Sequence, residues 1–263
     1  MRLRIPKIPR RPRTPNIIGL TLISCGTLAL VGSIIFVASI LAFIGLGLTF
    51  WGFLFLLLKR ETYVKSILLD STATRSLENL DRILTELEYK GKGVYLPPKH
   101  LKNFKSGIVY VSKKKGDEIL PPEEKLEEKM FSSNPNGLSI TPPGLDLTNL
   151  YEKEIGTDFI RTDLKYLQDN LPKLFIENLE IAQDLEINTE GNLINVKITD
   201  SVYKDFCKQT QKLSNICHSI GCPLCSSIAC TLTRATGKPV IIENSEYSEK
   251  DKTINVQYRI LEG

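Results

Sequence analysis

Between Thr14 and Leu58 the chain carries no Asp, Glu, Lys or Arg. Six basic side chains precede this stretch (Arg2, Arg4, Lys7, Arg10, Arg11, Arg13), and Lys59, Arg60 and Lys65 follow it. The apolar run Ile17–Leu58 is 42 residues, roughly 63 Å as one helix, against a hydrocarbon core of about 30 Å. Tilt cannot absorb a twofold excess. The run therefore predicts a transmembrane hairpin over 17–58, with passes at about 17–36 and 39–58 around a turn at Val37–Ser39. A cleaved signal peptide would have an apolar core of about 7–15 residues and a small-residue cleavage site, whereas this run ends in Phe-Leu-Phe-Leu-Leu-Leu-Lys-Arg.

Cations at both outer ends orient the hairpin. Lys and Arg near membrane segments stay on the cytoplasmic side, and an even number of passes lets both flanks obey that rule. The expectation is a multi-pass protein of the cell membrane, with a basic N-terminus (1–16) and a long C-terminal part both in the cytoplasm. Gly19, Gly26, Gly32, Gly45, Gly47 and Gly52, with Ser24 and Ser33, permit close helix approach in lipid. That serves intramolecular packing first and homo-oligomer formation second. Membrane-depth ionisable groups mark ion and proton pathways; the hairpin has none and reads as an anchor in the lipid bilayer.

The net charge of +4 conceals an asymmetry. Residues 1–60 hold eight Lys/Arg and no acid, leaving 26 basic against 30 acidic groups in the rest. An acidic soluble part lacks the basic face that nucleic-acid binding needs. Lys90–Lys115 contains eight Lys, no acid, and Tyr95, Phe104 and Tyr110; Asp117–Glu128 then holds six acids and one Lys. The basic stretch suits either anionic headgroups, at about 1 kcal/mol per cation, or an ordinary solvated face.

The soluble part is long enough for a real core. Leu77, Leu80, Ile83, Leu84 and Leu87 predict an amphipathic helix over 75–89, ended by Gly91 and Gly93. Strands are expected at Val94–Leu96 and Gly107–Val111, which makes 61–112 a juxtamembrane helix with short strands. Residues 113–145, rich in charge and Pro, read as an extended linker. Residues 146–263 read as the α+β domain. Within it, a short helix stops at Gly156, and helical signal runs from Thr162 to Leu179 with a kink or new turn at Pro172. A hairpin turns at Glu190-Gly191-Asn192. Asp200 is placed to cap a helix with Val202, Tyr203 and Phe206, and a further helix starts at Cys222–Pro223 and stops at Gly237. Strands follow at Val240–Ile242 and Ile254–Ile260. The order β-β-α-α-β-β predicts an antiparallel sheet with helices on one face.

Five of six cysteines fall within 24 residues: Cys207, Cys217, Cys222, Cys225 and Cys230, with His218 among them. Three chemistries compete. Cys222-Pro-Leu-Cys225 is a C-x-x-C at a helix start, where free backbone N–H groups favour a thiolate; it resembles the CPxC of glutaredoxins over those residues alone. Cys217, His218, Cys222 and Cys225 offer four zinc or iron ligands, with Cys207 and Cys230 in reserve, but C-x₄-C-x₂-C-x₄-C departs from the paired spacing of zinc knuckles. Cysteines that simply pack, as small hydrophobes, are the leading expectation, so no catalytic or metal residue and no cofactor is assigned. On the helix wheel Cys225 shares a face with Ile228 and Leu232, whereas Cys230 points away. Cys25 is expected to be a small packing residue of the first pass.

Gly93-Val-Tyr-Leu-Pro-Pro98, Thr141-Pro-Pro-Gly-Leu145, Gly221-Cys-Pro-Leu-Cys-Ser-Ser-Ile-Ala-Cys230 and Ala235-Thr-Gly-Lys-Pro-Val240 resemble stretches of uncharacterised archaeal-type two-pass membrane proteins with a cytosolic C-terminal domain. That resemblance implies no activity. The last sixty residues are also similar to V4R-type small-molecule-binding domains. The usual cysteine after the penultimate strand of those domains is replaced here by Glu243-Asn-Ser-Glu246.

With two histidines, His100 and His218, the chain has few bases for a Ser-His-Asp site, and no P-loop or dinucleotide glycine fingerprint occurs. The reading is a membrane-anchored cytosolic domain that binds a small ligand or a protein partner, more a regulatory or scaffold unit than an enzyme. The alternative is a membrane-tethered thiol-redox or metal protein built on Cys222 and Cys225.

Overall fold

The structure, a computed structural model, describes residues 14–57, 66–98, 107–114, 116, 131–133 and 136–262. His100, four of the eight lysines of the basic run (Lys99, Lys102, Lys105 and Lys115) and the whole acidic run lie outside the described residues. The chain divides into two compact units, Met1–Tyr63 and Val64–Gly263.

The first unit is a helical hairpin. Helices α1 (Thr14–Phe36) and α2 (Ser39–Leu57) are joined through Val37 and Ala38, and Val37 takes φ 50° to reverse the chain. Each helix is long and apolar enough to cross a membrane. Where the two meet, glycines oppose glycines. A Cβ at Gly19 would lie 2.9 Å from the Gly52 carbonyl oxygen, and one at Gly45 would lie 2.9 Å from that of Gly26. The contact glycines are seven apart on each helix, two turns of one face, so the backbones touch along a continuous seam. Hydroxyl groups turn back on their own helix: Ser24 Oγ donates to Leu20 O at 2.7 Å and Thr49 Oγ1 to Gly45 O at 2.9 Å. That satisfies them without water. Cys25 faces outward rather than into the seam.

The second unit is an α+β domain. Helix α3 (Ser66–Glu86) leads into β1 (Gly93–Leu96), β2 (Ile108–Ser112), β3 (Phe131–Ser133) and β4 (Asn136–Ile140). Helices α4 (Leu145–Ile155) and α5 (Leu164–Lys173) follow, then β5 (Asp184–Glu190) and β6 (Leu193–Thr199). Helices α6 (Lys204–Thr210), α7 (Ser214–Ser219) and α8 (Pro223–Thr236) precede β7 (Val240–Ser248) and β8 (Thr253–Ile260). All eight strands form one antiparallel sheet in the order β3-β4-β2-β1-β7-β8-β6-β5. Ile194, Val196, Ile198, Ile254, Val256 and Tyr258 alternate inward beneath the helices. Asn188, Asn195, Lys197, Asn255 and Gln257 line the opposite, polar face. Under β1, β2 and β7 that second face turns apolar, with Val94, Leu96, Ile108, Tyr110 and Ile241 forming a smaller buried cluster.

Helix α8 is buried on every side, its residues from Leu224 to Arg234 all inaccessible. One side packs on the sheet through Leu224, Ile228 and Leu232, each contributing about 1.5–3 kcal/mol by burial. The other side meets α4 through hydroxyl groups. Gly144 N donates to Ser226 Oγ at 3.1 Å, Thr148 Oγ1 to Ser227 O at 3.0 Å, and Tyr151 and Ser227 share a 3.0 Å hydrogen bond. A Cβ at Gly144 would meet Ser227 N at 2.1 Å, so the Pro-Pro-Gly turn brings the backbone where no side chain fits. Arg234 closes the far end, donating to Glu152 Oε2 at 2.6 Å and Asn149 Oδ1 at 2.9 Å. The span Ser214–Thr236 is also long and apolar enough for a membrane but is 83% buried in its own domain. Its backbone breaks between α7 and α8, so it is core.

Four expectations change. Residues 113–145 are not only a linker: their described part supplies β3 and β4 of the main sheet. Within β4, Tyr110 lies where a Gly137 Cβ would be, at 2.1 Å, so the glycine makes room for a ring. Asp200 does not cap α6; with φ 44° it pairs with Lys204 at 2.7 Å instead. Pro172 sits inside α5, which runs on into a wider π-type turn at Leu174–Asn178. Cys230, expected to point away from the core, is buried because α4 covers that side of α8.

The seam has a testable asymmetry. Gly26→Leu is expected to force α1 from α2 and cost about 1–3 kcal/mol. Gly47→Leu, where a Cβ meets nothing within 4 Å, should be neutral. Titrating the helical circular dichroism of the micelle-solubilised chain with sodium dodecyl sulfate measures both.

Candidate functional site: a sulfur cluster and a basic cleft

The chain enters α8 through a tight turn. Gly221 has φ 75°, conformation that favours glycine, and Cys222 follows as the N-cap with Pro223 in the first turn. Cys222 Sγ accepts a hydrogen bond from Cys225 N at 3.5 Å. Sulfur is a weaker acceptor than the usual capping oxygens, so this cap needs outside support. Two buried phenols provide it: Tyr95 donates to Ile220 O at 2.5 Å and Tyr258 to Cys225 O at 2.9 Å. Burial drives both phenols well above their ordinary range, so they remain donors.

Three of the five clustered cysteines meet here. Cys207 Sγ, from α6, lies 2.9 Å from Cys222 Sγ, and Cys222 Sγ donates to Cys225 Sγ at 3.4 Å. All three are buried, and every cysteine is a free thiol. Their protonation is unequal. Cys207 is held well above the usual thiol range by the hydrogen bonds it donates to Cys222 and Cys225, and by burial. Burial also raises Cys222. Cys225 goes the other way: hydrogen bonds from Cys207 and Cys222 lower it well below the usual range, with Ser245 Oγ at 3.6 Å assisting. Cys230 belongs to another environment, beside Thr148 and Arg234, and burial pushes its thiol up to about 12.

Ser245 reaches Cys225 because of a bulge in β7. The register with β8 shifts between Ile242 and Asn244, so Glu243 is extra and the alternation inverts. Before it Ile242 faces the core; after it Ser245 and Tyr247 do, opposite Val256 and Ile254. Glu243 itself binds Lys92 and Arg259, and Lys92 Nζ also donates to Glu243 O at 2.7 Å. Burial raises the Glu243 carboxyl, but these two cations outweigh it and hold the group below its ordinary value.

A cleft of about 460 Å³ opens on the outer side of α7, lined by Tyr89, Lys90, Lys92, Asn215, His218 and Ser219, with Gly91 and Gly116. Helix α7 is held by α3, whose Asp81 Oδ1 accepts from Asn215 N at 3.1 Å and Ile216 N at 3.0 Å. That caps a helix whose own N-cap residue, Leu213, offers no side-chain bond. His218 and Lys90 are exposed on the cleft walls. Cys217 is half-buried and directs its Sγ toward Ser245 O at 3.9 Å.

The four residues considered as zinc or iron ligands are therefore distributed. Cys222 and Cys225 are together in the core, Cys217 approaches from beside them, and His218 belongs to the cleft. Among the described residues, no group of three or more His, Cys, Asp or Glu side chains is arranged to hold a metal ion. The sequence pairs Cys222 with Cys225 and keeps Cys207 in reserve, but its contact with Cys222 comes from another helix fifteen positions away and cannot be read from spacing. The cleft was equally hidden, its residues coming from three separate segments.

Because Glu243 is depressed in the fold, its ionised form contributes stability above the unfolded carboxyl value of about 4.3. That contribution is lost as pH falls through its lower folded value. Glu243→Gln is expected to cost about 1 kcal/mol at pH 7, with the difference from wild type shrinking below pH 4. Urea denaturation curves at both pH values check it.

No curated protein and no solved structure matches the chain. A family model described as a domain of unknown function, DUF7982, matches residues 10–260. With nearly the whole chain covered, this protein belongs to the DUF7982 family.

Proposed function

We propose that the protein is a membrane-anchored domain that binds a small anionic ligand, or an acidic segment of a protein partner, in the cleft outside α7. The cleft carries this reading. Its volume of about 460 Å³ falls within the range of small-molecule sites. Its polar walls offer donors: the Lys90 ammonium, the His218 ring and the Asn215 amide. Lys92 adds a cation already engaged by Glu243. Tyr89 supplies apolar wall beneath them. Donors and cations on a partly apolar floor suit a carboxylate or phosphate with a small carbon skeleton. Two apolar helices would hold the domain at the lipid surface, raising the local concentration of any ligand or partner found there. The expected setting is the cytoplasmic side of the cell membrane, since cations flank both outer ends of the hairpin.

The test uses the full chain in detergent micelles. Inorganic phosphate, adenosine monophosphate and succinate are each titrated while the unfolding temperature is followed. At least one should raise it, by an amount equivalent to about 2.7 kcal/mol at a hundred times its dissociation constant. Lys90→Glu with His218→Ala should abolish the effect. Binding that survives the double change, or none with any of the three, overturns the assignment.

Orientation has its own readout. A membrane-impermeant maleimide applied to intact cells should fail to label a cysteine introduced at exposed Asp251 until the membrane is opened. Labelling in intact cells would place the domain on the other side.

A further inference from the structure

The sulfur cluster is not needed to bind a ligand in the cleft, and ordinary packing does not bring two thiols to 2.9 Å. We propose that Cys207 and Cys222 form a reversible disulfide that staples α6 to the N-terminus of α8, with Cys225 as the third thiol that receives the oxidant and exchanges the bond onto its neighbours. The co-reactant is a hydroperoxide.

The geometry separates the roles. Cys222 touches both other sulfurs, Cys207 at 2.9 Å and Cys225 at 3.4 Å. Only Cys225 is held toward its thiolate, and thiolate character governs reaction with oxidants. Cys225 also faces Ser245, which accepts from half-buried Cys217; this is the side of the cluster nearest solvent.

In the first step the Cys225 thiolate attacks a peroxide oxygen. The O–O bond breaks, an S–O bond forms, and the departing oxygen takes the proton Cys225 gave up, leaving as water. The Cys222 sulfur then attacks Cys225; the S–O bond breaks, an S–S bond forms, and the hydroxide leaves as water with the proton of Cys222. Finally Cys207 attacks Cys222, Cys225 departs, and the proton of Cys207 passes to it. In sum, two thiols and one hydrogen peroxide give one disulfide and two waters. The last exchange runs toward Cys207 because the sulfur with the lowest proton affinity is the best leaving group, and that sulfur is Cys225. The bond also joins two elements rather than closing the small ring of a single helical turn.

Trypsin makes the outcome readable, because Cys207 falls in the peptide Asp205–Lys208 and the other clustered cysteines fall in Leu213–Arg234. The full chain in micelles is fully reduced, exposed to hydrogen peroxide at a small molar excess, alkylated under denaturing conditions and digested. Two of six thiols should disappear, and Asp205–Lys208 should be found linked to Leu213–Arg234. Dithiothreitol should restore both. In Cys207→Ala two thiols should still disappear, now within Leu213–Arg234 alone. In Cys225→Ala oxidation should slow at least tenfold. Three results overturn the proposal: six thiols intact after peroxide, Cys207 fully alkylated in the oxidised wild type, or stoichiometric zinc that must be chelated before any of the three thiols reacts.

Discussion

Helix α8 has no solvent face, and the layers of the C-terminal domain are held to it from both sides. Its apolar stripe lies on the central strands, while its hydroxyl groups and Arg234 engage α4. A helix enclosed in this way must have each polar group satisfied by a named neighbour, because water is absent. The Ser226–Gly144, Ser227–Thr148 and Ser227–Tyr151 contacts answer that requirement, as does the Arg234–Glu152–Asn149 fork. The N-terminus is the exception in kind, capped by sulfur and clamped by two phenols, and it is there that the thiols gather.

One extra residue in β7 connects this buried end to the surface. By inverting the alternation at Glu243, the strand presents Ser245 to Cys225 and leaves the Glu243 carboxylate on the other side, where it binds Lys92 at the cleft. Without the bulge, Ser245 would face away from the thiols. The short helix α7 stands between the two features, with His218 on the cleft and Cys217 toward Ser245. Cleft and cluster are thus linked indirectly, through Cys217 to Ser245 and through Lys92 to Glu243, although they are chemically unlike.

The first unit works by different rules. In lipid, apolar surface has no reason to leave its surroundings, so close contact must come from shape. Glycines seven apart on each helix supply it, letting carbonyl oxygens approach the facing backbone where a methyl group would collide. Large apolar side chains such as Ile34 and Phe43 face outward, the reverse of the C-terminal domain.

Patterns that act over short distances were legible without coordinates. The uncharged run with its cationic flanks dictated a hairpin because bilayer thickness is fixed. The periodicity of Leu77 and Leu84, the turn at Gly191, and the Cys222–Pro223 and Gly237 limits of α8 followed from local sterics and capping. Tertiary structure alone decided what depends on distant segments meeting. It placed Gly137 against Tyr110, so that an apparent linker became two strands. It buried Cys230 under α4, brought Cys207 to Cys222, and set His218 in a cleft away from the cysteines beside it in sequence. Spacing along a chain reports which residues share a face; only the packing of several faces reports which of them touch.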